Sequence, residues 1–208
     1  PVSDTLQTLQ ELARYHREHV LPGGKHLDII GITGTNGKTT TKELIKTVLS
    51  AKYNVVATEG NLNNDIGVPL SLLKITPSTE LAVIEMGASH PDDIFKLVRV
   101  SEPDFGIITN VGKAHLQGFG SFEGVKKAKG CLYDYVNAFG TSVFVNADDP
   151  VLVSMTEERN CKSVISYGLY HDGCVIMDTT PEEPFLRIMM PGGVVVKTKL
   201  VGAYNSAN

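Results

Sequence analysis

The sequence predicts an α/β fold: a mostly parallel sheet with helices on both faces, and a small antiparallel extension near the C-terminus. Three observations carry that expectation. Between residues 28 and 145, short continuous apolar runs alternate with helix-like segments, the pattern of strands buried on both faces. The first run, Ile29-Ile30-Gly31-Ile32-Thr33, passes directly into a glycine-rich turn and then into Lys38-Thr39 at the head of a helix. After about residue 160 the helical spacing disappears and short strand-like runs follow one another, with Pro191-Gly192-Gly193 as a turn between the last two.

Taken in order, residues 4 to 20 place Leu6, Leu9, Leu12, Ala13 and Val20 at helical spacing. Asp4 and Gln7 form a capping box, and Pro22, Gly23 and Gly24 stop the helix. His16 and His19 lie three apart on it, and with no further ligands nearby they read as a solvated face rather than a metal pair. Strands are expected at Asp28–Thr33, Asn54–Thr58, Leu81–Glu85, Phe105–Thr109 and Ser142–Val145. Helices are expected at Lys38–Lys52, Val68–Lys74, Asp92–Val100 and Phe122–Ala138. Ser163–Tyr167, Cys174–Asp178, Phe185–Met190 and Val194–Leu200 are assigned to the antiparallel extension, and Gly202 to Asn205 would open a further helix.

Composition narrows the function. The chain has 208 residues, with 42% hydrophobic and 20% charged residues, enough for a packed core and too apolar for disorder. A net charge of −4 argues against a nucleic-acid binder that neutralises many phosphates. No run of apolar residues is long enough to span a membrane, and the start shows no secretory leader. The start lacks Met, and the chain reads as a fragment of something longer. Cys131, Cys161 and Cys174 are odd in number and scattered, so they read as small buried hydrophobes in a reducing compartment rather than as a disulfide framework or zinc site.

In a parallel sheet the ligand sits beyond the carboxyl ends of the strands, so the residues just after each strand matter most. Gly34-Thr35-Asn36-Gly37-Lys38-Thr39-Thr40 is a phosphate cradle: backbone N–H groups of the loop and helix start face an anion, Lys38 adds a point charge, and Thr39 offers a hydroxyl to Mg²⁺. It is a variant, since Ile32 stands where the first glycine of the strict phosphate-loop pattern belongs. Its strand–loop–helix setting makes the fold P-loop NTPase-like. Glu85 closes a buried strand and suits a hard cation. His115 follows another strand at the same rim. Lys129, in Gly124-Val-Lys-Lys-Ala-Lys-Gly130, reads on spacing alone as one of several lysines on a solvated helix face. Asn61, Asn63 and Asn64 suit either a loop with left-handed residues or hydrogen bonds to a polar ligand.

Together, GITGTNGKTTTKE, GNLNNDIGVP, VIEMGAS, ITNVGKAHLQGFGSFEGVKKAKG, NADDP and VGAYNSAN resemble the central ATP-binding domain of the Mur ligases, the cytoplasmic ATP-dependent amide-forming enzymes of peptidoglycan synthesis. The resemblance runs from about residue 30 to 208, and within the family it is strongest to the members that add D-alanyl-D-alanine to a UDP-muramyl-tripeptide. It implies an ATP-dependent ligase working through an acyl phosphate, with ATP, one or two Mg²⁺ ions, UDP-muramyl-peptide and D-alanyl-D-alanine as ligands. It implies that Gly34 to Thr40 hold the phosphates, with Lys38 on the transferred group and Thr39 on Mg²⁺, and that Glu85 and His115 serve the metal sites. Lys129 matches a lysine that members often carry as a carbamate. Asn63 and Asn64 match the loop near the muramyl substrate, and Asn205 an asparagine at the adenine. Cys131 departs from the pattern, standing where an acidic residue is expected. The implied organisation is a connector helix at 1–26 and the middle domain at 27–208, from a cytoplasmic, monomeric enzyme whose other domains lie outside this chain. Alone, the fragment would bind Mg-ATP weakly and not ligate.

Three other readings compete. One is a different Mur ligase or a folylpolyglutamate-synthase-like enzyme with the same core. Another is a phosphate-loop GTPase or switch module, against which stand the absence of an NKxD motif and of DxxG after the acidic strand. The third is a scaffold that has lost turnover, against which stand Lys38, Thr39, Glu85, His115 and Lys129 together.

Overall fold

A computed structural model describes residues 2–112 and 116–207. Six strands form one parallel sheet: β1 (Asp28–Thr33), β2 (Val55–Ala57), β3 (Leu81–Glu85), β4 (Phe105–Ile108), β5 (Ser142–Asn146) and β6 (Val164–Tyr167), in the order β2-β3-β1-β4-β5-β6. Strands β7 (Val175–Met177), β8 (Phe185–Met189) and β9 (Val195–Val201) make a separate antiparallel sheet.

The expected architecture is present, with one reassignment. The run at Ser163–Tyr167 is not part of the antiparallel extension. It pairs in parallel with β5, Val143 opposite Val164 and Asn146 opposite Tyr167. What makes this geometrically available is a helix absent from the sequence reading, α7 (Pro150–Glu158). Asp149 caps it by accepting from the N–H groups of Val151 and Leu152, and Pro150 sits at the first helical position, where its missing N–H costs nothing.

The other helices are α1 (Thr5–His19), α2 (Lys38–Leu49), α3 (Gly67–Leu72), α4 (Asp93–Ser101), α5 (Leu116–Phe119) and α6 (Phe122–Phe139), with a short 3₁₀ turn at Ala203–Ala207 in place of the helix expected after Gly202. Both faces of the parallel sheet are covered, but unequally. On one face Ile29, Ala82, Ile84, Ile108, Val143 and Val145 pack beneath α1, α3, α4, α6 and α7. On the other, Ile32, Ala57, Val83 and Ile107 are buried, and among the described residues the hydrophobic side chains a helix packs against them are Ile45 and Leu49 of α2.

Helix α1 is capped by Asp4, which accepts the Gln7 N–H at 2.9 Å, but the Gln7 side chain turns to Glu11 instead of completing the box. Its buried face is also not the leucine stripe: Leu12 is 54% exposed, while Ala13 and Arg17 are buried. Arg17 donates to Glu102 Oε2 at 2.7 Å and to the Glu102 carbonyl at 3.0 Å, tying α1 to the end of α4. His16 meets the carbonyl of Ile75 at 2.8 Å and His19 that of Tyr15 at 2.8 Å, so each histidine has a local partner and they do not form a metal pair. The three cysteines are free, as expected, but half-buried rather than buried.

Candidate active site

Strand β1 lies between β3 and β4 although the chain visits β2 first, so the direction of winding reverses at β1. At such a reversal the loops leaving neighbouring strands splay apart and open a crevice at their carboxyl ends. Three segments meet there: Gly34–Gly37 after β1, Glu85 at the end of β3, and Thr109–Gly112 after β4.

The Gly34–Gly37 loop is shaped by its neighbours. Gly34 adopts φ +151°, and a Cβ there would stand 1.9 Å from Thr109 Oγ1, so only glycine fits. Gly37 (φ 80°) turns the chain into α2 with no side-chain cap. The first-turn N–H groups of α2 have no intrahelical acceptor and no side-chain cap, the donor set that an anion can accept from. The segment after β4 fastens the loop from beside. Thr35 N–H donates to the Asn110 carbonyl (3.1 Å) and Asn36 N–H to Asn110 Oδ1 (3.1 Å). Thr109 Oγ1 and Asn110 Nδ2 donate to the Asn36 carbonyl (2.6 and 3.0 Å), and Gly112 N–H donates to Thr35 Oγ1 (2.8 Å). Thr109, at the end of the expected strand, and Asn110 thus fix the backbone of Thr35 and Asn36.

Lys38 curls over this loop, its ammonium donating to the carbonyls of Gly34 (2.9 Å) and Thr35 (3.2 Å). Burial pushes its pKa below the ordinary lysine range, and the Glu85 carboxylate pulls it back up. Glu85 is 1% exposed. Its Oε2 accepts from Thr39 Oγ1 at 3.0 Å and its Oε1 from Asn63 Nδ2 at 2.8 Å, while its N–H donates to Thr58 Oγ1 at 2.9 Å. Thr58 is fixed by Lys42, a fully buried lysine of α2 that donates to its carbonyl at 2.7 Å and pairs with Glu43 at 2.9 Å. Nothing in the sequence marks Lys42, since a lysine on a helix normally faces water.

Lys129 lies on α6 and is 3% exposed, not solvated. Burial first, then the charge of Lys38, lowers its pKa to about 8. Among the described residues no side chain or backbone acceptor is within hydrogen-bond reach of it.

Of the other sequence-derived candidates, Asn64 is turned to the fold: its Oδ1 accepts the N–H groups of Gly67 (2.8 Å) and Ile66 (3.3 Å) and starts α3. Asn205 donates to the Val201 carbonyl at 2.9 Å within the C-terminal turn. His115 lies outside the described residues. Thr40 follows Thr39 in the first turn of α2.

The geometry fits a divalent cation. Thr39 Oγ1 and Glu85 Oε2 are 3.0 Å apart, the spacing of adjacent ligands about an octahedral Mg²⁺, roughly 3 Å for bonds near 2.1 Å. A phosphate in the cradle would add anionic oxygens beside two partly desolvated lysines.

Residues 32–208 match the family model described as the Mur ligase middle domain. The UDP-N-acetylmuramoyl-tripeptide–D-alanyl-D-alanine ligase of Bacillus subtilis is 42% identical over 151 residues, 73% of this chain and 32% of that protein. The Haemophilus influenzae enzyme of the same name is 34% identical along the whole of this chain and 45% of its own. Among solved structures, MurF from Acinetobacter baumannii superposes with a TM-score of 0.84 at 32% identity, over 99% of this chain and 45% of that one. MurF from Thermotoga maritima in complex with ADP gives 0.78 at 28% identity, over 99% and 48%. The chain thus spans less than half the length of these relatives. With the fold, the glycine-shaped loop at the sheet rim and the family match in agreement, this chain belongs to the Mur ligase family, and residues 32–208 match its middle domain.

Proposed function

We propose that this chain is the ATP- and Mg²⁺-binding part of a ligase that joins D-alanyl-D-alanine to UDP-N-acetylmuramoyl-tripeptide in the cytoplasm. In this reading residues 27–208 are the middle domain and residues 1–26 the connector to another domain. The observation that carries it is the convergence of a glycine-shaped cradle, Lys38 and the Thr39–Glu85 oxygen pair at one sheet rim. The relatives named for this reaction support the choice of substrates.

The reaction needs activation because a carboxylate is a poor electrophile. The substrate carboxylate oxygen attacks the γ-phosphorus of ATP, the bond to the β,γ-bridging oxygen breaks, and ADP leaves with that electron pair. The amine of D-alanyl-D-alanine then attacks the acyl carbon, phosphate departs, and the nitrogen loses a proton. No protein nucleophile is required. The protein's share is placement and charge. The loop and α2 N–H groups hold the phosphates in line, and Lys38 offsets charge on the transferred group. Thr39 and Glu85 would hold Mg²⁺, with His115 a further ligand. When bound, Mg²⁺ neutralises the phosphate oxygens.

Lys129 fits a carbamate. Its amine is buried near Lys38, its lowered pKa supplies neutral amine at physiological pH, and no acceptor is at hand among the described residues. The neutral nitrogen adds to the carbon of CO₂ and a proton leaves to solvent, which turns an uncompensated cation into an anion beside Mg²⁺. Asn205 is proposed at the adenine, on the family resemblance.

The test is ADP release by a chain of the relatives' full length carrying this segment. It should require both UDP-muramyl-tripeptide and D-alanyl-D-alanine, whereas the 208-residue chain alone should not ligate. ADP release that needs a different amino acid in place of the dipeptide would overturn the assignment of substrate. Ligation by the 208-residue chain would overturn the division of labour.

A further inference from the structure

Glu85 presents its two oxygens to different partners. Oε2 faces Thr39 and the phosphate loop, and Oε1 accepts from Asn63 at 2.8 Å. The amide must turn its Nδ2 this way, since a carboxylate can only accept. Asn63 is not placed by chance. Its N–H donates to the Asn61 carbonyl at 2.8 Å, its own carbonyl accepts from Gly87 N–H at 2.7 Å, and a Cβ on Gly87 would come within 2.9 Å of Asn63 Oδ1. Gly87, two residues beyond Glu85, thus leaves the space that the asparagine fills.

The consequence is a matter of denticity. Mg²⁺ takes single oxygens in an octahedron at about 2.1 Å, whereas Ca²⁺ accepts more ligands at about 2.3–2.6 Å and readily takes a carboxylate through both oxygens. With Oε1 engaged by an amide, Glu85 has one oxygen to give. We infer that Asn63 is a positioning residue that holds Glu85 to single-oxygen coordination and thereby sets the preference of the site for Mg²⁺ over Ca²⁺, rather than a ligand for the muramyl substrate. This rests on the nucleotide–metal reading of the site given above.

The experiment is calorimetric titration of the chain with ADP in Mg²⁺, in Ca²⁺ and without metal, for the wild type, Asn63→Ala and Asn63→Leu. Both substitutions remove the donor, and the second keeps the size. Each should move the Mg²⁺/Ca²⁺ affinity ratio about tenfold toward Ca²⁺, in line with the loss of other partners that orient metal-binding carboxylates. Asn64→Ala, which removes the start of α3 instead, should lower the melting temperature and leave the ratio alone. A ratio unchanged in both Asn63 variants, with metal-dependent ADP binding intact, overturns the inference and spares the site. ADP binding by the wild type that ignores both metals overturns the metal site, and the inference with it.

Discussion

Strands β3 and β9 show how differently the two sheets use their residues. β3 has four of its five residues buried and ends on Glu85, a carboxylate kept at 1% exposure by Thr39, Asn63 and Thr58. β9 has seven residues, and none is buried. Its sheet is closed locally instead: Gly192 and Gly193, at φ 88° and 83°, turn β8 into β9, and Arg187 of β8 donates to the Asp178 carbonyl at 2.8 Å and pairs with Glu183. Of its strand residues only Leu186 is buried. A buried carboxylate or amine can be aimed only where packing on both faces fixes the backbone that carries it. That is why the candidate site stands on the parallel sheet.

The widest expected gap between the two sheets is in stability. Ile84, fully buried beneath the helices, should cost about 2–5 kcal/mol as Ile84→Ala in urea unfolding. Val196→Thr on β8's neighbour, at 44% exposure, should stay within about 0.5 kcal/mol. Comparable losses at both positions would break the contrast.

Lys129 sharpens it from the other side, because it is a rim residue whose burial opposes folding. Its folded pKa, about 8, lies below the 10.5 of an exposed lysine, so between those values the unfolded chain holds a proton that the folded chain has lost, and stability rises with pH. Below about pH 8 the cost is fully present. Lys129→Met, measured in CO₂-depleted buffer at pH 7, should therefore stabilise the chain by up to about 3 kcal/mol, and the gain should fade toward pH 10.5. A variant less stable than wild type at pH 7 would show that the buried amine has a favourable partner.

The same contrast explains what the sequence disclosed. Strands β1, β3, β4 and β5 were legible because burial on both faces demands unbroken apolar runs. β6 was misassigned because Val164, Ile165 and Ser166 are exposed, so an edge strand of the parallel sheet reads like the strands that follow it. Helix α7 leaves little trace in the sequence because Pro150–Glu158 is short and its first turn follows the acidic, loop-like Asp148-Asp149. In the candidate site, the placement of Gly34, Gly37, Lys38, Thr39 and Glu85 at one sheet rim is legible because each stands at a fixed spacing from the end of its strand. The spacing of Lys129 on its helix does not single it out and only the family resemblance points to it, while nothing in the sequence points to Lys42, because both lysines are buried through packing distant in sequence. Asn63 and Asn64 were read alike, and only the fold sends one to Glu85 and the other to α3.

The central claim is that Lys38, Thr39 and Glu85 together form a metal-dependent nucleotide site. The direct measurement is calorimetric titration of this chain with a non-hydrolysable ATP analogue, with and without Mg²⁺, beside Lys38→Ala and a GTP analogue. The account predicts binding that Mg²⁺ strengthens, that favours adenine, and that falls on the order of a hundredfold in Lys38→Ala. Binding unaffected by Mg²⁺ and by the loss of Lys38, or none by a folded chain, would contradict it.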